Sequence, residues 1–380
     1  MPTATVTAAV DGSNAFALNL YRRLRTQPGN LFFSPESIST AFSMAYAGAR
    51  GETATQMASV FHFGLPASEL HPAMGSLLSA MNEKNPNYQL SVADALWAQE
   101  GQNFLPDYLK LVETNYAAGF HQVNFQLSPE TARTTINQWI EKQTNDKIQN
   151  LLEPGVVTPQ TRLILTNAIY FKGDWIDPFE KNATADADFH LSSTQAVKAP
   201  LMHLTSGFNY FDGGTFQALE LPYTGGTLSM VILLPKDADG LPALEQSLAP
   251  DSLTNWLGKL GPAPKVIVTL PRFTMTQQFE LSSALSAMGM PQAFGGAADF
   301  SGMTGKRDFT ISAAIHKAFV DVNETGTEAA AATSIVMRAT AMRLEPPPII
   351  FNADHPFLFL IRDTRSGSIL FLGRVVDPTR

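Results

Sequence analysis

Histidine is the side chain best suited to proton transfer and metal binding near neutral pH. The 380-residue chain has seven: His62, His71, His121, His190, His203, His316 and His355. They are scattered. No pair stands four residues apart, the spacing that brings two imidazoles onto one helix face, so surface or core histidines are favoured over a metal centre. The chain contains no H-E-x-x-H, no G-x-G-x-x-G and no G-x-S-x-G. Members of a Ser–His–Asp triad need not be adjacent in sequence, but the missing nucleophile elbow disfavours one. Gly302 to Lys306 resembles a phosphate-binding loop and fails as one, because Arg307 stands where Ser or Thr must hold magnesium. Two sequons, Asn182-Ala183-Thr184 and Asn323-Glu324-Thr325, are compatible with glycosylation, and matches this short arise by chance. With no cysteine, there is no disulfide framework, thiolate nucleophile or iron–sulfur site. The residues therefore point away from an enzyme, and neither a metal nor a cofactor is expected.

The unusual stretch is Asn323 to Pro348. It follows the apolar run Ala318 to Val322, begins Glu324-Thr325-Gly326-Thr327-Glu328, and continues through Ala329, Ala330, Ala331 and Ala332. Four alanines favour a helix from Thr327 to Met337. Alternate residues from Thr327 to Ala339 are all small or apolar, which equally suits a strand with one buried face. A segment that fits loop, helix and strand is a candidate conformational switch, and its small side chains lower the steric barrier to entering an existing sheet.

Other elements must carry this segment. Asn14 to Arg25 is expected to be a helix capped by Ser13, with Met1 to Gly12 small, polar and flexible. Ser34-Pro35 opens a second helix: Ser caps it, and Pro occupies the first position, where no amide partner is needed. Gly51 starts a third, and Pro66 to Lys84, Leu105 to Asn115, Pro129 to Asn150 and Leu281 to Met288 follow. Strands are expected over Tyr88 to Gln99, Arg162 to Lys172, several within Phe208 to Pro235, then Lys265 to Leu270, Phe273 to Phe279, Ile311 to Val322, Phe357 to Ile361 and Ile369 to Val376. Arg162 to Lys172 is nearly continuous apolar, as a strand buried on both faces would be. Helices dominate early and strands later, which favours an α+β fold.

Length alone allows two or three domains, but no composition shift divides the chain. Lys plus Arg is 26 against Asp plus Glu 34, a net charge of −8. Nucleic-acid and anionic-membrane partners are therefore disfavoured. The densest basic cluster, Arg22-Arg23-Leu24-Arg25, fits a solvated helix face. No apolar run is long enough to span a bilayer, and no signal peptide is visible.

Over nearly its whole length the chain resembles the serpin family. The matching stretches are NLFFSPESIS (30–39), AGARGETATQM (47–57), LTNAIYFKGDW (165–175), LSMVILLPK (228–236), LPRF (270–273), ADFSGM (298–303), HKAFVDVNETGTEAAAA (316–332), ADHPFLFL (353–360) and FLGRVVDPT (371–379). The resemblance implies one domain over 1–380, with three β-sheets, about nine helices and an exposed reactive-centre loop at 326–348. It implies a suicide-substrate inhibitor: a serine or cysteine peptidase cleaves the loop, whose first half enters the large central sheet while the acylated enzyme is trapped.

Position by position, the resemblance makes Glu324, Gly326, Thr327, Glu328 and Ala329 to Ala332 the hinge. It places Ser34, Ser37, Asn167 and His316 where the sheet must open, with Trp175 near the point of entry and Lys317 beside the same strand. Counting seventeen residues from Glu324 puts the cleaved bond between Thr340 and Ala341, which suits elastase-like or subtilisin-like enzymes. Counting back from Ala353 makes the loop longer than usual, so Arg338, Met342 and Arg343 remain alternatives, with Arg meaning trypsin-like targets. A monomer, a covalent acyl complex with the target, no heparin activation and an extracellular or periplasmic location are expected, with the cytoplasm also open. The alternative is a non-inhibitory serpin with a carrier, storage or chaperone role, against which the small-residue hinge argues.

Overall fold

The computed structural model describes residues 2–116, 119–327 and 347–380. Among them are ten α-helices and fifteen strands, an α+β fold. The hinge positions Glu328 to Ala332 and the candidate cleavage positions Arg338, Thr340, Ala341, Met342 and Arg343 lie outside the described residues.

The first helix, α1 (Ala4–Leu24), begins ten residues earlier than expected. The chain from Ala4 to Gly12 is thus helical, where flexibility was expected, and Thr3 caps it by accepting from the Val6 amide at 3.3 Å. Ala9, Val10 and Ser13 extend the buried face of Phe16, Ala17 and Leu20, and their small size hid that stripe. Ser13 is not a cap: it is buried inside the helix, its hydroxyl 3.3 Å from that of Ser39. Six further helices follow early in the chain or support its middle: α2 (Pro35–Gly48), α3 (Gly51–Phe61), α4 (Ala67–Met81), α5 (Pro106–Tyr116), α6 (Pro129–Gln143) and α7 (Leu241–Ser247). Then come α8 (Pro250–Gly258), α9 (Ser282–Met288) and α10 (Ser301–Thr304). Helix α6 stops at Gln143, not at Asn150, because Asn145 and Asp146 take positive φ values of 51° and 61°. Asn and Asp tolerate that left-handed conformation better than most residues, and it cannot continue a helix.

The strands are β1 (Leu31–Phe33), β2 (Tyr88–Gln99), β3 (Phe120–Val123), β4 (Leu163–Asp174), β5 (Ala185–Ser192), β6 (Gln195–Asp212), β7 (Phe216–Pro222) and β8 (Leu228–Pro235). They continue with β9 (Gly261–Pro271), β10 (Phe273–Glu280), β11 (Ile311–Asn323), β12 (Gly326–Thr327), β13 (Ile349–Asn352), β14 (Phe357–Asp363) and β15 (Ile369–Val375). One network, in the order β10-β11-β12-β4-β2-β3, is the central sheet. The other runs β1-β15-β14-β8-β7-β6-β9-β13, with β5 also on β6. The three sheets expected from the resemblance thus appear as two hydrogen-bonded networks. The long strand β6 serves β5 with its first half and β7 with its second, and bends at the register shift between Ser206 and Phe208.

Strand β4 explains its own continuous hydrophobicity. Leu163, Leu165, Ile169 and Phe171 face the main core. Ile164, Ala168 and Tyr170 face a second core, where Ile136 and Ile140 of α6 pack with Trp97. Both faces of the central sheet are therefore covered. On the main-core side α2 touches β2 and β4, and Ser37 near its N-terminus bonds to Asp94 of β2 and Asn167 of β4.

Candidate functional site: the seam of the central sheet

Strands β4 and β11 lie side by side and parallel, from Leu163↔Ile311 to Tyr170↔Phe319. Beyond Phe319 they diverge, and the two residues of β12 occupy the fork. Thr327 pairs with Val322 of β11 on one side and Gly173 of β4 on the other, antiparallel to both. Gly326 and Thr327 therefore already occupy the position of a middle strand at one end of an otherwise closed seam.

Each residue of this turn has a reason to be there. Gly326 has φ +155°, and a β-carbon on it would lie 2.1 Å from the carbonyl oxygen of Gly173, so the fork admits only glycine at that point. Thr327 is fully buried, and its hydroxyl lies 2.9 Å from the Tyr223 phenol oxygen. Tyr223 stacks on Trp175 with ring centres 4.5 Å apart. The Trp175 backbone amide donates to the Thr325 carbonyl at 2.8 Å, its indole N–H donates to the Asn323 carbonyl at 3.0 Å, and the Phe179 amide donates to the Glu324 carbonyl at 2.8 Å. The Glu324 carboxylate is paired with the Arg272 guanidinium and accepts from the Thr184 hydroxyl at 2.7 Å. Burial acts to raise its pKa, but the bonds from Arg272 and Thr184 outweigh burial and hold it below the usual carboxylate range.

Farther along the seam the pairing is polar at one level. His316 and Asn167 are register partners across β11 and β4, and Asp94 of β2 is the partner of Asn167 on its other side. The Ser34 amide donates to His316 Nε2 at 3.1 Å, so Nε2 is the acceptor and Nδ1 carries the proton toward the Asn167 side-chain oxygen. The ring is neutral, and burial pushes its pKa down to about 3. The Asn167 amide donates to Ser37 Oγ at 2.6 Å and to Asp94 Oδ1, while the Ser37 hydroxyl donates to Asp94 Oδ1 at 2.9 Å. One hydrogen-bonded chain thus ties β11, β4, β2 and the start of α2 together. Asp94 is buried, and its Oδ2 has no partner. Burial raises its pKa well above the usual value, only partly offset by Ser37 and Asn167, with Glu36 nearby adding to the rise.

A family model described as serpin (serine protease inhibitor) matches residues 11–378. The chain belongs to the serpin family. This serpin is 43% identical over 373 residues to the leukocyte elastase inhibitor of Homo sapiens, covering 96% of this chain and 97% of that protein. Its structure is similar to that of uncleaved ovalbumin, with a TM-score of 0.88 and 32% identity over 98% of this chain and 100% of the other. It is also similar to maspin, with a TM-score of 0.92 and 28% identity over 99% of this chain and 100% of the other.

In this serpin the structure brings together Ser34, Ser37, Asn167 and His316, and separately Trp175, Glu324, Gly326 and Thr327. Lys317 joins neither group. It donates from Nζ to the Gln149 carbonyl at 2.8 Å, and burial lowers its pKa. Three residues of the site escaped the sequence reading: Asp94, Tyr223 and Arg272. Asp94 left a signal as the one acidic residue inside β2, and Arg272 lay within the matching stretch LPRF, while Tyr223 left none. Among the described residues no cluster of three or more His, Asp or Glu side chains could hold a metal ion.

Proposed function

We propose that this serpin is a single-domain, monomeric suicide-substrate inhibitor of serine peptidases. The observation that carries the reading is the seat of β12, antiparallel to both neighbours, at the head of a parallel seam. A strand continuing from Thr327 down that seam would exchange one parallel ladder for two antiparallel ones. Antiparallel pairing is slightly the more stable, and each added bond contributes about 0.5–1.5 kcal/mol net. A strand of about ten residues then releases on the order of 10 kcal/mol. The native chain holds this energy in reserve, and kinetics rather than equilibrium keeps the sheet incomplete.

In the proposed reaction the peptidase serine attacks the Thr340 carbonyl, the Thr340–Ala341 bond breaks, and the new amine of Ala341 leaves with a proton from the enzyme's general acid. The ester to Thr340 then travels with the inserting strand. Thr340 fits elastase-like or subtilisin-like primary pockets; cleavage after Arg338 or Arg343 would indicate a trypsin-like target, and Met342 is a further alternative. The human relative named for leukocyte elastase favours the first.

The test is incubation with elastase, subtilisin and trypsin, followed by denaturing electrophoresis and mass spectrometry of the released carboxy-terminal fragment. An SDS-resistant adduct with a fragment beginning at Ala341 is expected. Cleaved chain without adduct from every peptidase would overturn the reading and favour a non-inhibitory role.

A further inference from the structure

A groove of about 490 Å³ lies beside β13, the first strand after the candidate cleavage positions. Leu234 and Pro235 line it from buried positions, and Ile350 lines it with 56% of its surface exposed. Along β13 the side chains alternate: Phe351 is fully buried, whereas Ile350 and Asn352 face outward. Asparagine suits that face and isoleucine does not. Only five large apolar side chains are exposed among the described residues, and Ile350 is one of them. Strand β13 ends its network and pairs only with β9, so among the described residues no strand lies on its outer edge. Gln217 of β7 donates to the Ile350 carbonyl at 3.2 Å, which ties the strand down without covering the side chain.

The polar groups of the groove are already engaged. His355 meets Asp354 Oδ1 at 2.8 Å and the Pro235 carbonyl at 2.7 Å. Asn352 donates to Asp354 Oδ2 at 2.5 Å, and Lys236 is paired with Asp212 at 2.8 Å. What the groove leaves open is hydrocarbon, so an apolar side chain fits it better than an ion. The length of chain on either side of the proposed cleavage says what brings one there. Ile349 follows Ala341 by eight residues, and Thr340 follows Thr327 by thirteen. Fully extended, those lengths reach at most about 29 Å and about 47 Å. A peptidase of about 220 residues has a radius of gyration of about 17 Å, so its body is about 45 Å across. An enzyme seated on the bond is thus tethered more closely to β13 than to β12, and by less than its own width. Its flank meets the surface beside β13.

We propose that this groove is an exosite for an elastase-like target peptidase: an apolar side chain on the enzyme's flank covers Ile350 while the cleft holds the bait bond. The inference rests on the reading of the chain as a peptidase inhibitor. It adds a contact outside the loop that sets how fast the enzyme is captured.

The test is the second-order rate at which leukocyte elastase cleaves the full chain, read by release of the carboxy-terminal fragment, together with the fraction of cleaved chain found in SDS-resistant adduct. Ile350→Asp should lower the cleavage rate about tenfold. The adduct fraction should not change, because the seam is untouched. Ala238→Trp fills the groove from the turn after β8 and should have the same effect; it leaves β13 intact, so it remains informative if the first variant does not fold. Leu127→Asp makes the same kind of change on a leucine outside the groove, 79% exposed, and should leave the rate as it was. Rates within about twofold of the unaltered chain in the groove variants, or an equal loss in Leu127→Asp, would overturn the exosite and leave the inhibitor reading standing. A tenfold slower cleavage in the groove variants, with no adduct even from the unaltered chain, would uphold the exosite and overturn the inhibitor reading. A chain that leukocyte elastase does not cleave at all would overturn the exosite as proposed.

Discussion

The phenol oxygen of Tyr223 lies 2.9 Å from the hydroxyl oxygen of Thr327, where β12 sits between β4 and β11. Thr327 is fully buried there. It is thus the first side chain that any continuing strand must carry between β4 and β11, and its hydroxyl is received by a partner already in place.

Thr327→Arg is expected to convert the inhibitor into a substrate. A guanidinium at this position would be buried beside an aromatic hydroxyl with no carboxylate paired to it in the fork, at a cost of several kcal/mol. Insertion would slow while cleavage would not. The ratio of cleaved chain to SDS-resistant adduct should rise at least about tenfold, since about 1.4 kcal/mol on the insertion barrier suffices for that. An unchanged ratio would separate Thr327 from the insertion step.

Gly326→Ala should disturb the fork without introducing charge. The new methyl would meet the Gly173 carbonyl oxygen at 2.1 Å, and the backbone conformation is one that alanine seldom adopts. Substitution where the native conformation is incompatible costs more than about 1 kcal/mol. A lower thermal midpoint is expected, together with faster proteolysis between Glu324 and Thr327 as β12 leaves its place. A native-like proteolysis pattern would contradict the account.

Parts of this site were legible in the sequence. Ser34-Pro35 marks the start of α2, and the structure shows the Ser34 hydroxyl accepting from the Ser37 amide at 3.4 Å. Glu324 to Thr327 stood out as an acidic and small-residue run after an apolar strand. What was not legible depends on distance along the chain. Tyr223 and Thr327 are 104 residues apart, and Arg272 and Glu324 are 52 apart. Tyr223 has no local pattern that marks it, and Arg272 lies in the matching stretch LPRF without anything there to mark it as the partner of Glu324. The start of α1 was missed for a different reason: Ala9 and Ser13 are too small to draw a hydrophobic stripe, yet they pack tightly enough to be buried.

Asp94→Asn is expected to stabilise the native state near neutral pH. The folded pKa of Asp94 is raised above its unfolded value of about 3.9. The unfolded chain therefore gives up this proton at lower pH, and stability declines as pH climbs from about 4 to the folded value. Asparagine keeps an acceptor for Ser37 and Asn167 and removes the charge. The variant should melt a few degrees higher at neutral pH, and the difference should vanish below about pH 4. Thermal scans across that range check it, and a lower midpoint at neutral pH would show that the ionised carboxylate is needed in the seam.

His316 and His355 should limit stability from opposite sides. His316 is held neutral, its pKa pushed by burial to about 3, below an unfolded value of about 6.5. Its contribution is present above about pH 6.5 and is lost as pH falls toward 3, because the unfolded chain takes up the proton first. Protonation would also set an N–H against the Ser34 amide, which now donates to Nε2 at 3.1 Å. For His355, burial acts to lower the pKa but is outweighed: Nδ1 meets Asp354 Oδ1 at 2.8 Å and Nε2 meets the Pro235 carbonyl at 2.7 Å. Its folded pKa is raised, so its contribution is complete below about pH 6.5 and disappears as pH climbs through the folded value. The midpoint of thermal unfolding should therefore fall on both sides of a maximum. His316→Gln should flatten the acid limb, and His355→Gln should flatten the alkaline limb while lowering the maximum. A profile in which either substitution alters the opposite limb would break the assignment.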